Sequence, residues 1–329
     1  MNYAIHLGGA EMSVTQGLLP FKLTADTSKG VVTSFSGLPL VVETMRALKL
    51  DEATSEFLRI KQRDGGIYTE ADYVGSFVSL LASGGTCLDD LERLRGDAGL
   101  KALSFKIPSP ESARFFLYAF HDEEALMGRP FSGAFVPRET ERLKGLFDVQ
   151  RALIRASVKS QSSKIATIDQ DAVIVESAKE EAAATYKGHD GYQPVVNYWA
   201  EEDLILKDEF RDGNRYRYYA VVTNMWEWNG ERLLRWQRER CGTVEHVRNV
   251  LKNDLGGGVL PCGRFYANAA WWRLNCIAYN VVSVMKRKAL PAEWGTYRLK
   301  ALRYWLIGVA GRVIRTGRQV YLRFCGAVR

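Results

Sequence analysis

Apolar residues fall at helical spacing over several separate stretches of the first half of the chain. After Thr33-Ser34-Phe35-Ser36-Gly37-Leu38-Pro39, the run Leu40 to Leu48 keeps its apolar positions on one face. Thr69 to Ala82 repeats the pattern: Glu70 and Asp72 occupy its first turn, Val74, Phe77, Val78 and Leu81 recur at helical spacing, and Gly84-Gly85 stops it. Leu88 to Gly96 is acidic at its start and basic at its end, as the helix dipole favours. Ser109-Pro110-Glu111 opens a fourth helix running to Ala119, with proline in the first turn where no amide donor is required. Residues 33 to 160 thus read as mostly helical, and residues 1 to 32 as mixed and turn-rich.

The period changes after Arg155. Val158 to Ser163 is a polar linker, and Lys164 to Glu176 is rich in β-branched residues: Ile165, Ile168, Val173, Ile174 and Val175. A turn at Gly188 to Gly191 precedes two further strands, Gln193 to Ala200 and Asp203 to Phe210, so residues 164 to 210 predict a three-stranded meander. Tyr216 to Thr223 predicts a fourth strand. From Gly230 the helical period returns through Leu233, Leu234 and Trp236, then through Val244, Val247, Val250 and Leu251, until Gly256-Gly257-Gly258 stops it. Ala267 to Lys286 is a long apolar helix of core character. The pattern divides the chain into a helical part at 1–160, a sheet-containing part at 161–285 and a tail at 286–329.

Composition narrows the function classes. Hydrophobic residues are 47% and charged residues 25% of the 329, which excludes a disordered or fibrous chain. The formal net charge is +7, a balance that favours polyanionic partners. The excess is uneven: residues 286–329 hold eleven Lys or Arg against the single acid Glu293, a density natural for tracking a phosphate backbone. The five cysteines lie without C-x-x-C pairing, read as reduced thiols, and predict no disulfide framework. No run of eighteen apolar residues exists, so no membrane span is expected. Trp226, Trp228 and Trp236 have the chemistry to stack on bases, but read more simply as core residues.

Two pairs of residues carry candidate chemistry. Asp169 and Asp171 are two apart on a predicted strand and so share a face, where carboxylates can hold a hard cation such as Mg²⁺. Taken alone, the pair reads more simply as two solvated carboxylates on a strand edge. Glu245 and Lys252 lie two turns apart on a predicted helix, with Arg248 between them on the same face, a mixture suited to metal and phosphate. A solvated face of alternating charge fits the same residues.

These residues resemble a family. Ile168-Asp169-Gln170-Asp171-Ala172, followed by Tyr186-Lys187-Gly188 and Gly191-Tyr192-Gln193-Pro194, is similar to the first-strand-and-hairpin signature of insertion-sequence DDE transposases. Glu245 with Lys252 resembles the close of their Y-R-E-K signature, although Arg238 and Cys241 stand where its tyrosine and arginine belong, with Arg240 beside the latter. Blocks around Gly37-Leu38-Pro39, Asp97-Ala98-Gly99-Leu100, Tyr118 to Glu123 and Val259 to Leu274 extend the likeness over roughly residues 33 to 329. The resemblance implies an α/β protein: a helical N-terminal domain, a ribonuclease H-like mixed-sheet domain and a helical basic C-terminal extension. It implies Asp171 as the first metal-binding carboxylate, with Asp169 as the alternative, and Glu245 as the last. Lys252, Arg248 and Arg240 would contact DNA. Mg²⁺ or Mn²⁺ would be the cofactor, and the partner would be the terminal inverted repeats of the element, bound by a homodimer in a bacterial cytoplasm, at the nucleoid.

One part of the family pattern is missing. Between the meander and the last catalytic helix, a ribonuclease H-like core needs two helices and two strands, the first of which ends in the second catalytic aspartate. At about 1.5 Å per helical and about 3.3 Å per strand residue, these take roughly 40 to 50 residues. Only residues 211 to 240 are available, which implies an internal deletion around Asn214 to Arg215. Asp203, Asp208 and Asp212 are nearby substitutes, none of them compelling. The expectation is therefore a transposase of reduced or lost cleavage activity, or a DNA-binding remnant that represses transposition.

Overall fold

The computed structural model describes residues 2–7, 10–15, 29–60, 67–129, 136–158, 166–214, 226–239 and 243–325. Strands β1 (Asn2–Leu7) and β2 (Ala10–Thr15) form an antiparallel pair with Leu7 opposite Ala10. That register leaves Gly8-Gly9 between them in sequence, a hairpin signal overlooked in a segment read as turns. After β3 (Val31–Thr33) come α1 (Leu38–Ala47), α2 (Leu50–Phe57), α3 (Glu70–Ser83), α4 (Leu91–Gly96), α5 (Ala98–Ala102), α6 (Pro110–Tyr118) and α7 (Glu141–Ser157). Their ends follow from local chemistry. Thr69 accepts from the Asp72 amide at 3.1 Å while the Asp72 carboxylate accepts from the Thr69 amide at 2.8 Å, a reciprocal cap for α3. Gly84 closes the same helix with φ +98°. Ser109 caps α6 from the residue before its proline.

The second half supplies β4 (Ile168–Ala172), β5 (Val175–Glu176), β6 (Ala183–Ala184), β7 (Asp190–Tyr192), β8 (Val195–Trp199) and β9 (Leu204–Glu209). The order β4-β8-β9 is the predicted meander, with the short β5-β7-β6 ribbon as an excursion between its first two strands. Every strand pairing described is antiparallel, where the resemblance implied a mixed sheet. The strand expected at Tyr216 to Thr223 lies outside the described residues. Helices α8 (Gly230–Glu239), α9 (Thr243–Asn249) and α10 (Phe265–Lys288) follow.

Helix α10 is the axis of the molecule. Every residue from Phe265 to Met285 is buried, as the all-round apolar pattern predicted. It packs against α1, α3, α6 and α7 on the helical side and against β9 on the sheet side, so a single hydrophobic cluster spans Phe35 to Ile307. Several of its buried polar residues fasten it to its neighbours, while Trp272 Nε1 and Asn275 Oδ1 are buried without a partner. Asn280 accepts from the Ile205 amide at 2.8 Å and donates to the Ile205 carbonyl at 2.9 Å, which fastens β9 to the helix. Trp271 donates to the Gly256 carbonyl at 2.9 Å, and a Cβ on Gly256 would lie 2.7 Å from that indole. None of the described helices is long and apolar enough to cross a membrane.

Two expectations are corrected. The basic segment 286–329 is not a helical extension: after α11 (Leu299–Leu302) and a wide turn at Arg303–Ile307, it forms the hairpin β10 (Gly311–Thr316) and β11 (Gln319–Phe324). Burial alternates with a period of two from Gly311 to Ile314, Val313-Ile314 is β-branched, and Gly317 at φ +60° opens a two-residue loop, so strand pairing wins over a basic helix. β10 pairs with β3, giving a sheet that joins the two ends of the described core. The tail also grips α3, where Arg303 donates to the Ala82 and Leu81 carbonyls at 2.9 and 2.6 Å, completing the end of that helix. The second correction concerns the tryptophans. Trp226 is 88% exposed, and Trp228 and Trp236 are half-buried against each other, with Arg232 lying 4.0 Å from the Trp228 ring. Helix α8 is too polar to bury them, having Arg232, Arg235 and Glu231 exposed around its circumference.

Candidate active site

The site grows from the β4-β8-β9 sheet. Asp169 lies opposite Tyr198, and Asp171 lies opposite Val196, which in turn faces Asp208 across β9. Cross-strand partners share a face, and that face looks toward α10: the Tyr198 ring meets Tyr279, and Asp208 meets Arg273. Asp169 and Asp171 therefore both point to the helical side of the sheet. Asp169 is buried and Asp171 half-buried.

Helix α9 lies over β4. Arg248 donates to Asp171 Oδ2 at 2.8 Å and to the Ala172 carbonyl at 3.1 Å. One turn further on, Lys252 donates to the Ile174 carbonyl at 3.0 Å. Lys252 sits in a π turn at Val250–Asp254, where the Leu255 amide donates to the Val250 carbonyl at 2.7 Å. Glu245 is one turn before Arg248 on the same side of α9, and is exposed. The structure thus brings together Asp171, Arg248 and Lys252, with Glu245 beside them. Arg240 lies outside the described residues.

The electrostatics decide how far this arrangement suits a cation. Asp171 Oδ1 accepts from the Ala172 amide at 2.7 Å while Oδ2 is held by Arg248, so a guanidinium already sits where a metal ion would approach. The Arg248 Nε is buried without a partner. Among the described residues no group of three or more His, Cys, Asp or Glu side chains is placed to hold a metal. Mg²⁺ can manage with one or two carboxylates plus water and phosphate, but two ions about 3.5 to 4 Å apart need a bridging ligand. The described residues do not fit a two-ion centre.

The substitute aspartates are all engaged elsewhere. Asp203 accepts from Tyr198 and Ser283 at 2.9 Å each and from Tyr279. Asp208 is buried against Arg273 at 3.0 Å, and burial pushes its carboxyl up against the pull of that guanidinium. Asp212 is held at both oxygens by Arg129 at 2.8 Å; burial outweighs this cation and pushes the carboxyl up to about 6. Between Asp212 and Asp254 the sequence contains no aspartate. Sequence reasoning missed the Arg129 and Arg273 partnerships, for which no local spacing gives a signal.

Comparison with known proteins gives one match. Residues 216–328 match the family model described as transposase DDE domain group 1, so this part of the chain is similar to DDE transposases of the insertion-sequence type. Glu245, Arg248 and Lys252 lie inside the matched segment, and Asp169 and Asp171 before it. No curated protein matches, and no solved structure does.

Proposed function

We propose, taking that likeness to a transposase DDE domain as the premise, that this chain is the transposase of an insertion sequence and acts by binding the terminal inverted repeats of its element. On this reading the β4-β8-β9 sheet with α9 and α10 is a ribonuclease H-like core shortened near Asn214–Arg215. The family match begins at 216, directly after that junction. Two-metal cleavage and strand transfer would be lost, and a copy or homodimer seated on the ends would repress transposition. The observation that carries this reading is the Arg248 guanidinium on Asp171, together with the absence of any aspartate between Asp212 and Asp254.

The second reading is an active enzyme that cuts and joins DNA with Mg²⁺ or Mn²⁺ on Asp171 and Glu245. The seat of α9 on β4 favours it, because it brings the helix face that bears Glu245 to the strand that bears Asp171. Labelled duplex carrying the end repeats that flank the gene separates the two. A retarded complex without cleavage in either metal supports the binding reading. Cleavage that disappears in Asp171→Ala overturns it and establishes the enzyme.

A further inference from the structure

The outer edge of β4 is capped along one half and open along the other. In the antiparallel ladder with β8, Ala200 donates to the Thr167 carbonyl at 3.0 Å and Val173 to the Pro194 carbonyl at 2.9 Å. The alternation of such a ladder turns the backbone of the odd-numbered residues toward β8, and that of Ala166, Ile168, Gln170 and Ala172 away from it. At Ala172 side chains take the place of a neighbouring strand. Its amide donates to Asp171 Oδ1 at 2.7 Å and its carbonyl accepts from Arg248 at 3.1 Å, while Lys252 caps the Ile174 carbonyl at 3.0 Å. Before this capped stretch, the outward amides and carbonyls of Ala166, Ile168 and Gln170 take no hydrogen bond among the described residues.

An open edge is a template for another strand unless charge, proline or a bulge protects it. The three residues whose backbone is open are uncharged and exposed, Ile168 at 46%, and the β4–β8 register runs past them without a bulge. The open row is also complementary to itself. About a two-fold axis at Ile168, this residue faces its counterpart and Ala166 faces Gln170 on either side, so every open position pairs, each pair exchanging both of its N–H···O bonds. An axis at residue 169 or 170 instead sets the capped Ala172 opposite an open residue and forfeits bonds. The side chains fit the favoured register as well: Trp199 lies opposite Ile168, and cross-strand neighbours share a face, so these two and their counterparts form one apolar row. A strand of another protein would need this match built into it, whereas a second copy carries it already.

We propose that the chain forms a two-fold homodimer by pairing β4 with β4 of a second copy over residues 166–170, and that the Arg248 and Lys252 caps fix where the pairing stops. The interface is isologous, the same patch serving both copies, and it joins the two sheets into one. It gives the homodimer of the proposed repressor a surface, and rests on that reading only for what the dimer does on DNA.

The test is sedimentation of the full chain without DNA over a concentration series, with circular dichroism to show that each variant is folded. Wild type should pass from monomer to dimer as concentration rises. Ile168→Lys and Ile168→Asp each set like charges face to face at the axis, and each should weaken dimerisation by at least about tenfold. An equal mixture of the two sets lysine opposite aspartate and should restore the dimer. Gln170→Pro removes an outward N–H while leaving the bonds to β8, and should weaken the dimer as well. Phe115→Lys, at an exposed apolar residue on α6, is the control and should leave it unchanged. A wild type that stays monomeric, dimers unaffected at 168 and 170, or a mixture that fails to recover overturns this inference. Retardation of the end-repeat duplex is measured separately: a wild-type dimer that does not bind it overturns the repressor reading and leaves the interface standing.

Discussion

Arg273 is the residue whose removal tests the packing of α10 on the sheet most directly. It is 2% exposed, and its guanidinium makes five hydrogen bonds. Nε donates to the two Asp208 oxygens at 3.0 and 3.2 Å, Nη1 to Glu139 at 2.7 Å and to the Leu143 carbonyl at 2.6 Å, and Nη2 to the Asp208 carbonyl at 3.2 Å. The Phe147 ring lies 5.4 Å from it. Asp208, at 1% exposed, has no route to water. Arg273→Ala leaves this carboxylate buried and uncompensated, which costs about 3 to 5 kcal/mol. A surface ion pair would cost at most about 1 kcal/mol.

Equilibrium urea unfolding, followed by tryptophan fluorescence, measures the loss, since the buried neighbours Trp271 and Trp272 report on α10 itself. The pH dependence adds a second check. Burial already raises the Asp208 carboxyl above its unfolded value, and without Arg273 it rises further, so the folded variant takes up a proton at a pH where the unfolded chain does not. The variant then loses stability relative to wild type as the pH rises, and the gap between them narrows toward acid. Replacing both partners, Arg273→Met with Asp208→Val, should recover most of the loss, because apolar groups of similar size often replace a buried pair without penalty. A loss below about 1 kcal/mol in the single variant, or a double variant as unstable as the single, refutes the argument that the pair is buried and coupled.

Three further outcomes follow from the same structure. Arg248→Ala removes the guanidinium from Asp171 and should strengthen Mn²⁺ binding about fivefold by titration calorimetry, the equivalent of about 1 kcal/mol for a half-exposed pair; an unchanged isotherm means that Arg248 does not compete with metal. Gly145→Ala on α7 should destabilise by about 1 to 3 kcal/mol in urea unfolding, because the added Cβ would lie 2.4 Å from the Phe57 carbonyl, a clash that outweighs the roughly 1 kcal/mol gain in helix propensity. Asp212, with its carboxyl at about 6 in the folded chain against about 3.9 unfolded, binds a proton on folding, so its contribution falls as the pH rises from about 4 to about 6. Melting temperatures of wild type and Asp212→Asn should diverge through that window, and parallel curves would show that the carboxyl titrates normally.

What could be read from the chain was the chemistry whose partners are close in sequence. Thr69 with Asp72, the glycine at 84, and serine before proline at 109 each define a helix end within four residues. The all-round apolar run of α10 declared its burial in the same way. The hairpin at 311–324 was obscured because its arginines suggested a solvated tail, although the β-branched pair Val313-Ile314 with Gly317 beyond it carried the strand-and-turn signal. Helical spacing grouped Glu245, Arg248 and Lys252 on one face, but no spacing could say that Arg248 reaches Asp171, 77 residues earlier in the numbering. The tryptophans misled for a related reason: their size argued for burial, and only the polarity of the helix around them keeps them at the surface.

The buried aspartates bear on how such a chain can work. Asp203 holds β8 and β9 to α10 through Tyr198, Tyr279 and Ser283, Asp208 does so through Arg273, and Asp212 ties the end of the sheet to Arg129 beyond α6. To become a metal ligand, Asp208 would have to abandon Arg273, leaving a buried guanidinium unpaired at a cost of about 3 to 5 kcal/mol. Release of Asp212 would break both of its bonds to Arg129, which is partly exposed and keeps the Glu181 carbonyl. These carboxylates stabilise the junction of sheet and helices, and their recruitment to catalysis would loosen the surface on which α9 rests. The proposed repressor, which binds without cleaving, makes no such demand: Asp208 keeps Arg273, Asp212 keeps Arg129, and the junction under α9 stays intact.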